Sequence, residues 1–407
     1  MNYLVAFTVI DLANGLPAYV NKINAIFNNL SSIFDRSLLI SRFHDGLRVL
    51  ELKKGSESAN VIKINKNLLL RIPYLKGLFM RKSLYNELER IILSSNKEDQ
   101  KVLYIRFAYP DLWLLKTLQK AKSSNYFVIL DIPTFPYRHE FSLSFKGIFF
   151  RICDLIFVKN ARKYVDLIIS PHNDSLVLGI KNVRYSNGVD ISNIKVKSYV
   201  YGDNDVINII SVSSLQKWHG YDRVIKGLAN YYKKNPEKKV YFHVVGDGPE
   251  LPKLKRLARK LNVEEFVVFH GVKTGKDLDE LFDICHVAVG SLGMHRIKLI
   301  KGSGLKSREY CARGIPFIIG YEDPDFPQSF KYVFRVPADE SPIDIDAIVS
   351  FYESIKNENY TLEMRKYAEE HLVWSVKLKP VVEIIKRLLE EKGKSKTKRL
   401  MESATDE

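Results

Sequence analysis

An α/β chain of two Rossmann-like halves is what the 407 residues predict, on three observations. Short apolar runs rich in Val, Ile, Phe and Tyr alternate with helix-length segments from one end to the other, the pattern of parallel layers. A polar break, KSYVYGDNDV, separates two such series near residue 200. Composition agrees: 46% hydrophobic and 27% charged residues describe a globular chain long enough for two ordinary cores.

In order, Tyr3 to Ile10 reads as the first strand, DLANGLP as the loop that leaves it, and Ala18 to Leu30 as a helix. KVLYIRF is a strand, DLWLLKTLQKAK a helix, YFVILDI and VDLIISP are further strands, and Asn187-Gly188 marks a tight turn. The second series opens on the strand INIISVSSL. Its first helix, YDRVIKGLANYYKKN, sets Val224, Ile225, Leu228 and Tyr232 on one face. KVYFHVVG enters a Gly246-Asp247-Gly248 turn before the charged helix ELPKLKRLARKLN, and FVVFHG, HVAVGSL and IPFIIGY supply the remaining strands. Ser375 to Glu391 is an amphipathic helix, and the polar residues from Gly393 read as a disordered tail. The domains are therefore residues 1–200 and 201–372, with a C-terminal helix at 373–392 and a tail at 393–407. Ligands of open α/β sheets bind at the carboxyl ends of the strands, so two such halves are expected to face each other across a cleft that holds the site.

Net charge is +16, from 63 Lys and Arg against 47 Asp and Glu. That excess favours anionic partners: nucleotides, nucleic acid or an acidic membrane surface. No nucleic-acid-binding motif is present, so nucleic acid is not an expected partner. Cys153, Cys285 and Cys311 are odd in number and widely spaced, which gives neither a disulfide framework nor a metal spacing. No metal and no cofactor is expected. MNYLVAFTVI is a short apolar run without a basic lead, better read as a buried strand than as a signal peptide. No apolar run approaches the roughly 18 residues of a membrane span. A cytoplasmic location follows as the expectation.

The stretch GSGLKSREYCARGIPFI carries the clearest chemistry. Gly302 to Leu305 would present unpaired backbone N–H groups and the positive end of a helix dipole to an anion. Gly304 lets a ligand approach the backbone, and Lys306 adds a point charge. Glu309 lies one turn further on the same side, where a carboxylate can accept from a diol or simply pair with Lys306 at the surface.

VSSLQKWHGYDRVIKGL, HVVGDGPELPKL, VVFHGVKTGKDLDELF and GLKSREYCARGIPFI occur in the order found in nucleotide-sugar glycosyltransferases of family 4, and the chain resembles that family over most of residues 207–320. The resemblance implies the GT-B fold, with the C-terminal helix returning to the first domain. It implies transfer from a nucleoside diphosphate sugar with retention of configuration and no obligatory metal, of the kind that builds bacterial capsules and exopolysaccharides. It makes Glu309 the ribose ligand, Gly304 and Leu305 part of a diphosphate cradle, and Lys306 the catalytic cation. Val272, after the strand FVVFHG, belongs to the backbone that reads the base. The chain departs from the family twice. Lys301 stands where the family has a second glutamate, and Ser214 and His219 stand where it often has Arg and Lys on the diphosphate. Lys217 and His219 can supply those contacts, while His295, Arg296 and Lys301 are the candidates to meet the donor sugar.

Resemblance is weaker in the first half. Gly15 occupies the place of the family's first glycine loop, and is equally an ordinary turn residue. DIPTFPYRHE gathers Tyr137, Arg138 and His139 at a strand end, with His139 the second catalytic candidate because family members place a histidine near this region. Arg106 is a further candidate for donor sugar or acceptor. VIKINKNLLLRIPYLKGLFMRKSLYN and FKGIFFRICDLIFVKNARK mix cations with apolar residues. They read either as a surface for anionic lipid or as helices whose apolar side faces the core. The expected activity is glycosyl transfer to a hydroxyl of a glycan or a lipid-linked glycan, in the cytoplasm or peripherally at the inner face of the plasma membrane. Its rivals are a GT-B nucleotide-sugar epimerase and a degenerate, non-catalytic GT-B binding module.

Overall fold

The computed structural model describes residues 2–15, 17–44, 46–53, 56–63, 73–96, 99–108, 110–135, 137, 145–198 and 205–404. The chain divides into two compact units, Met1–Ser186 with Lys377–Glu407, and Asn187–Val376.

Unit one is built on β1 (Asn2–Asp11), β2 (Arg36–Phe43), β3 (Gly46–Lys53), β4 (Ser56–Lys63), β5 (Gln100–Arg106), β6 (Tyr126–Asp131), β7 (Leu167–Ser170), β8 (Leu176–Val177) and β9 (Ile180–Arg184). They form one sheet in the order β4-β3-β2-β1-β5-β6-β7-β9-β8. The centre, from β2 to β7, is parallel, and its strands read as unbroken apolar runs because both faces are covered. Val5, Phe7, Leu103, Ile105, Val128, Leu130 and Ile168 sit in one apolar core. The helices are α1 (Pro17–Ser31), α2 (Pro73–Ser94), α3 (Leu112–Ser123) and α4 (Phe145–Tyr164). The Asp111 side chain caps α3 by accepting from Leu114 N at 2.7 Å. Antiparallel β3 and β4 extend one edge, a feature that the simple strand-helix alternation does not anticipate.

In unit two, β10 (Val206–Val212), β11 (Lys239–Val245), β12 (Val267–Gly271), β13 (Val287–Val289), β14 (Phe317–Ile319) and β15 (Val333–Arg335) form an all-parallel sheet in the order β12-β11-β10-β13-β14-β15. This is the doubly wound order, and it reverses direction between β10 and β13, where such sheets bind ligands at the strand carboxyl ends. The helices are α5 (Tyr221–Tyr232), α6 (Leu251–Lys260), α7 (Gly275–Ile284), α8 (Leu305–Arg313), α9 (Ile345–Ile355) and α10 (Tyr360–His371). Val224, Ile225 and Leu228 of α5 are buried, as their spacing requires, while Tyr232 is half-buried and stacks on Phe266. α8 stops at Gly314, which takes φ 73° and where a Cβ would lie 2.5 Å from Thr361 O.

Two expectations change. Asn187-Gly188 is not a tight turn. The chain runs on through it to a parallel bridge between Val189 and Val373, and glycine is needed because a Cβ at 188 would lie 2.8 Å from the Trp374 Cα. The last helix, α11 (Trp374–Ala404), continues well beyond Glu391 into the segment read as a tail, where Lys394, Lys396, Lys398, Arg399, Leu400 and Met401 are good helix formers. Residues of α11 from Lys377 onward cluster with unit one, where Ile385, Leu388 and Leu389 line a small cavity with Lys101, Val102 and Phe127.

Candidate functional site

Three loops leave the carboxyl ends of β11, β10 and β13 and pack backbone to backbone. Leu292 N donates to His219 O at 2.9 Å and Gly293 N to Trp218 O at 3.1 Å. Gly220 takes φ 68°, and a Cβ there would lie 2.7 Å from Gly293 N, so only glycine lets the β10 and β13 loops meet. The Gly246-Asp247-Gly248 turn presses equally close on the Ser213 and Ser214 carbonyls. The switch point is thus a fixed floor of main chain.

α8 opens onto it. Its N-cap is Gly304, which has no side chain to cap the first turn. The N–H groups of a helix's first turn and the helix dipole are able to hold an anion. Gly304 has a structural reason as well, since a Cβ there would lie 2.2 Å from the Tyr321 hydroxyl, which itself bonds Ser307 Oγ at 2.8 Å. Leu305, the first helical residue, is half-buried.

Lys306 is half-buried, and its surroundings desolvate the ammonium. It donates to the Tyr221 hydroxyl at 3.0 Å and lies 5.4 Å from that ring's centroid. Burial pulls this ammonium down to about 7, while Glu309, one turn on, pulls weakly the other way. His219 is buried and stacks on Tyr221 with centroids 5.5 Å apart. Its Nδ1 accepts from Gln216 N at 3.0 Å, which leaves Nε2 as the protonated nitrogen of a neutral ring. Burial, with the nearby Lys306 charge, drives its basicity down to about 2. The pair therefore offers an anion one cation that charges on demand and one fixed neutral donor. Lys217 is exposed at the same loop.

Glu309 is oriented from behind: Arg313 Nε donates to its Oε1 at 3.0 Å, and Arg313 in turn pairs with Asp279 at 2.6 Å. The i to i+4 spacing of Glu309 and Arg313 was readable in the sequence; the Asp279 partner was not. Lys301 is exposed and pairs with Glu322 at 3.0 Å, so a carboxylate stands beside the position where the resembled family has one.

Arg296 behaves differently from its expectation. Nε donates to Glu340 at 2.8 Å, Nη1 to Asp222 at 2.8 Å and Lys217 O at 2.9 Å, and Nη2 to Asp222 at 3.0 Å and Glu340 at 2.6 Å. A guanidinium has five N–H donors, and all are spent on the protein, so Arg296 here ties the loops together and has none left for a sugar. His295 Nε2 bonds Glu340 at 2.9 Å, while its buried Nδ1 has no partner among the described residues. Val272 is 69% exposed just past the end of β12, whose His270 is bonded to the buried His243 at 2.9 Å.

Arg308 was not anticipated. It is wholly buried, pairs with Asp323 and Asp325, and donates to Gly304 O and Asn187 O at 3.2 Å each. Asn187 N also donates to Ser303 Oγ at 2.8 Å, so this network fixes the loop that enters α8.

In unit one, Gly15 closes a turn held by the Asp11 carboxylate, which accepts from Ala13 N at 3.0 Å, and its own Cβ position lies 2.6 Å from Asp11 O. Arg106 is not displayed to a ligand. It is buried against Asp131, its register partner on β6, and donates to the Tyr185 hydroxyl at 3.0 Å, with Tyr104 completing the cluster. Tyr137 is likewise buried, donating to Asp154 at 2.6 Å and packing on Phe107. Arg138 and His139 lie outside the described residues. Among the described residues no group of three His, Cys, Asp or Glu side chains is placed to hold a metal ion.

Residues 199–332 match the family described as glycosyl transferases group 1. Over that stretch the chain is similar to the group 1 glycosyltransferases. Its fold is GT-B, as the solved structures it resembles indicate. A glycosyltransferase from Rickettsia africae aligns with a TM-score of 0.62 at 14% identity, covering 95% of this chain and 98% of that one. Anabaena HepE in complex with UDP gives 0.62 at 13% identity, over 95% and 100%. The lipopolysaccharide outer core galactosyltransferase WaaB gives 0.56 at 15% identity, also over 95% and 100%. No curated protein matches the chain by sequence. The group 1 match spans the loops after β10, β11 and β13 and all of α8, the elements that converge at the switch point of unit two.

Proposed function

We propose that this glycosyltransferase binds a nucleoside diphosphate sugar in unit two and passes the sugar, with retention of configuration, to a hydroxyl of a glycan or lipid-linked glycan acceptor bound through unit one. In the reaction the bond from the anomeric carbon to the phosphate oxygen breaks, a bond to the acceptor oxygen forms, and the acceptor proton leaves. Negative charge grows on the departing diphosphate. The first turn of α8, the Lys306 ammonium and the His219 N–H would stabilise it, and Glu309 would hold the ribose. A bacterial surface polysaccharide is the proposed product, made in the cytoplasm at the inner face of the plasma membrane.

The observation that carries this reading is the α8 terminus at Gly304, with Lys306 desolvated beside it and bonded to a phenol oxygen. A cation desolvated in this way is stabilised by an incoming diphosphate. The lipopolysaccharide galactosyltransferase WaaB supports a glycan acceptor, and the UDP complex of HepE makes UDP the first nucleotide to try. The test is a thermal-shift panel with UDP, GDP, CDP and ADP on the wild type and Glu309→Ala. One nucleotide should raise Tm, and the variant should lose most of that rise. No shift with any of the four would favour the non-catalytic module. Release of nucleotide from the donor sugar without any acceptor would favour the epimerase.

A further inference from the structure

α4 has two apolar faces. Phe150, Cys153, Phe157 and Ala161 are buried, at the spacing of a stripe turned to the core. Ile148, Phe149, Ile152, Leu155 and Ile156 are 43 to 65% exposed. These five fall within about 120° of the helix circumference and along about 12 Å of its axis. Single exposed apolar side chains are ordinary, but five contiguous ones on one helix face mark an interaction surface.

α2 and α3 pack on the inner side of α4. The Arg81 guanidinium lies 5.7 Å from the Trp113 ring and 5.5 Å from the Phe150 ring, so α2, α3 and α4 meet there. Leu78, one turn before Arg81, and Leu112, next to Trp113, are both exposed.

The charge around the patch has one sign. Lys116, Arg151, Lys159, Arg162 and Lys163 are the exposed charged residues of α3 and α4 among those whose side chains are described. Asp154, the only acid in α4, is buried and accepts from Tyr137. α3 has no acid at all. Lys159 continues the apolar line one turn further along α4. A second copy of the chain meeting this face would set cations against cations. An anionic bilayer complements both features, taking the apolar side chains at the headgroup boundary and the cations at the phosphates. No helix among the described residues is long and apolar enough to cross a membrane, so attachment would be by this face lying in the surface.

We propose that the outer face of α4 is the surface by which the protein docks on anionic lipid. The inference rests on the membrane-side part of the proposed function and assigns it to residues. It also puts the N-terminal ends of α3 and α4, which follow the carboxyl ends of β5 and β6, next to the lipid, where a lipid-linked acceptor would be presented.

The experiment is co-sedimentation of the full chain with vesicles of phosphatidylcholine alone and of phosphatidylcholine with a third phosphatidylglycerol. Wild type should bind the anionic vesicles at least tenfold more tightly than the neutral ones. Phe149→Ser, Ile152→Ser and Leu155→Ser together should abolish binding to both, with Tm and the nucleotide-induced shift kept, since these side chains contribute little to the core. Lys159→Glu with Lys163→Glu should remove the preference for phosphatidylglycerol. Undiminished binding by the serine variant would overturn the assignment to α4 while leaving membrane association intact. Failure of the wild type to bind any vesicle, with its nucleotide shift present, would overturn the membrane reading and leave the donor site standing. A wild-type dimer that the serine substitutions dissociate would show the face to be an interface between copies, and would overturn the proposal as well.

Discussion

Lys306 gives the sharpest prediction because its protonation and donor binding are linked. Burial holds its ammonium at about 7 in the free protein, against an ordinary value of 10.5. A diphosphate placed at the α8 terminus favours the charged form, so the bound value must rise. Between the two values binding takes up a proton. At pH 8 about 0.9 of a proton should enter per donor bound, and above pH 7 affinity should fall about tenfold per pH unit until the bound value is reached. The diphosphate of a nucleoside diphosphate sugar keeps its charge above pH 7, and at pH 7 to 8.5 the base is still neutral, so the slope there belongs to the protein. Calorimetry at pH 8 in buffers of different ionisation enthalpy reads the proton directly. Lys306→Met should bind more weakly at pH 7, by about 1.5–3 kcal/mol for one charge-assisted contact, and should lose the slope. Wild-type binding whose enthalpy is independent of buffer and whose affinity is flat from pH 7 to 8.5 would refute the argument, because it would mean that no group titrates against the ligand.

Glu309→Ala should weaken donor binding by about 1.5–3 kcal/mol, measured by calorimetry, and deoxygenating the ribose of the donor should cost the wild type but not the variant. Arg308→Met leaves Asp323, 2% exposed, without its counter-charge, and should cost about 3–5 kcal/mol of stability in urea unfolding. Acid should weaken unit two. Burial lowers His243 and His286 from 6.5 to about 4, so the unfolded chain binds more protons between those values and stability falls as pH drops through them. The His243 share, about 3 kcal/mol by pH 4, should be missing in His243→Gln when ΔG of unfolding is followed against pH.

Unit two was legible because its signals are local. The apolar stripe of α5, the glycine that stops α8, and the lysine and glutamate one turn apart each lie within a dozen residues. Glycines in the Gly220 and Gly246 loops do what turn glycines do, but they also allow main chains from other strands to approach within van der Waals contact, which no single stretch can announce. The β3–β4 extension depends on pairing across the sheet edge, and β4 is exposed throughout its described length, so it lacks the alternation that marks a half-buried strand. α4 poses the opposite problem. Its sequence is apolar on two sides, and periodicity cannot tell which side faces the core.

The same limit separates the polar residues that the site keeps from those that the fold takes. Arg106, Tyr137 and Arg296 stand at strand ends or in the loops after them and Lys306 in the first turn of α8, and by sequence each is a cation or phenol where a ligand is expected. What distinguishes them is the supply of partners. Arg106 has Asp131 opposite it in strand register, Tyr137 has Asp154, and Arg296 has Asp222 and Glu340 for every donor it owns. Those partners come from 17 to 74 residues away, or from either side of the loop, and are invisible until the chain is folded. Lys306 has a phenol oxygen for its hydrogen bond and a carboxylate only one turn along its own helix, itself tied to Arg313. A cation desolvated at the positive end of a helix is destabilised by both its surroundings and the dipole. A bound anion would offset that cost, and it is this deficit, rather than the presence of a lysine, on which the proposal of a donor site at this position rests.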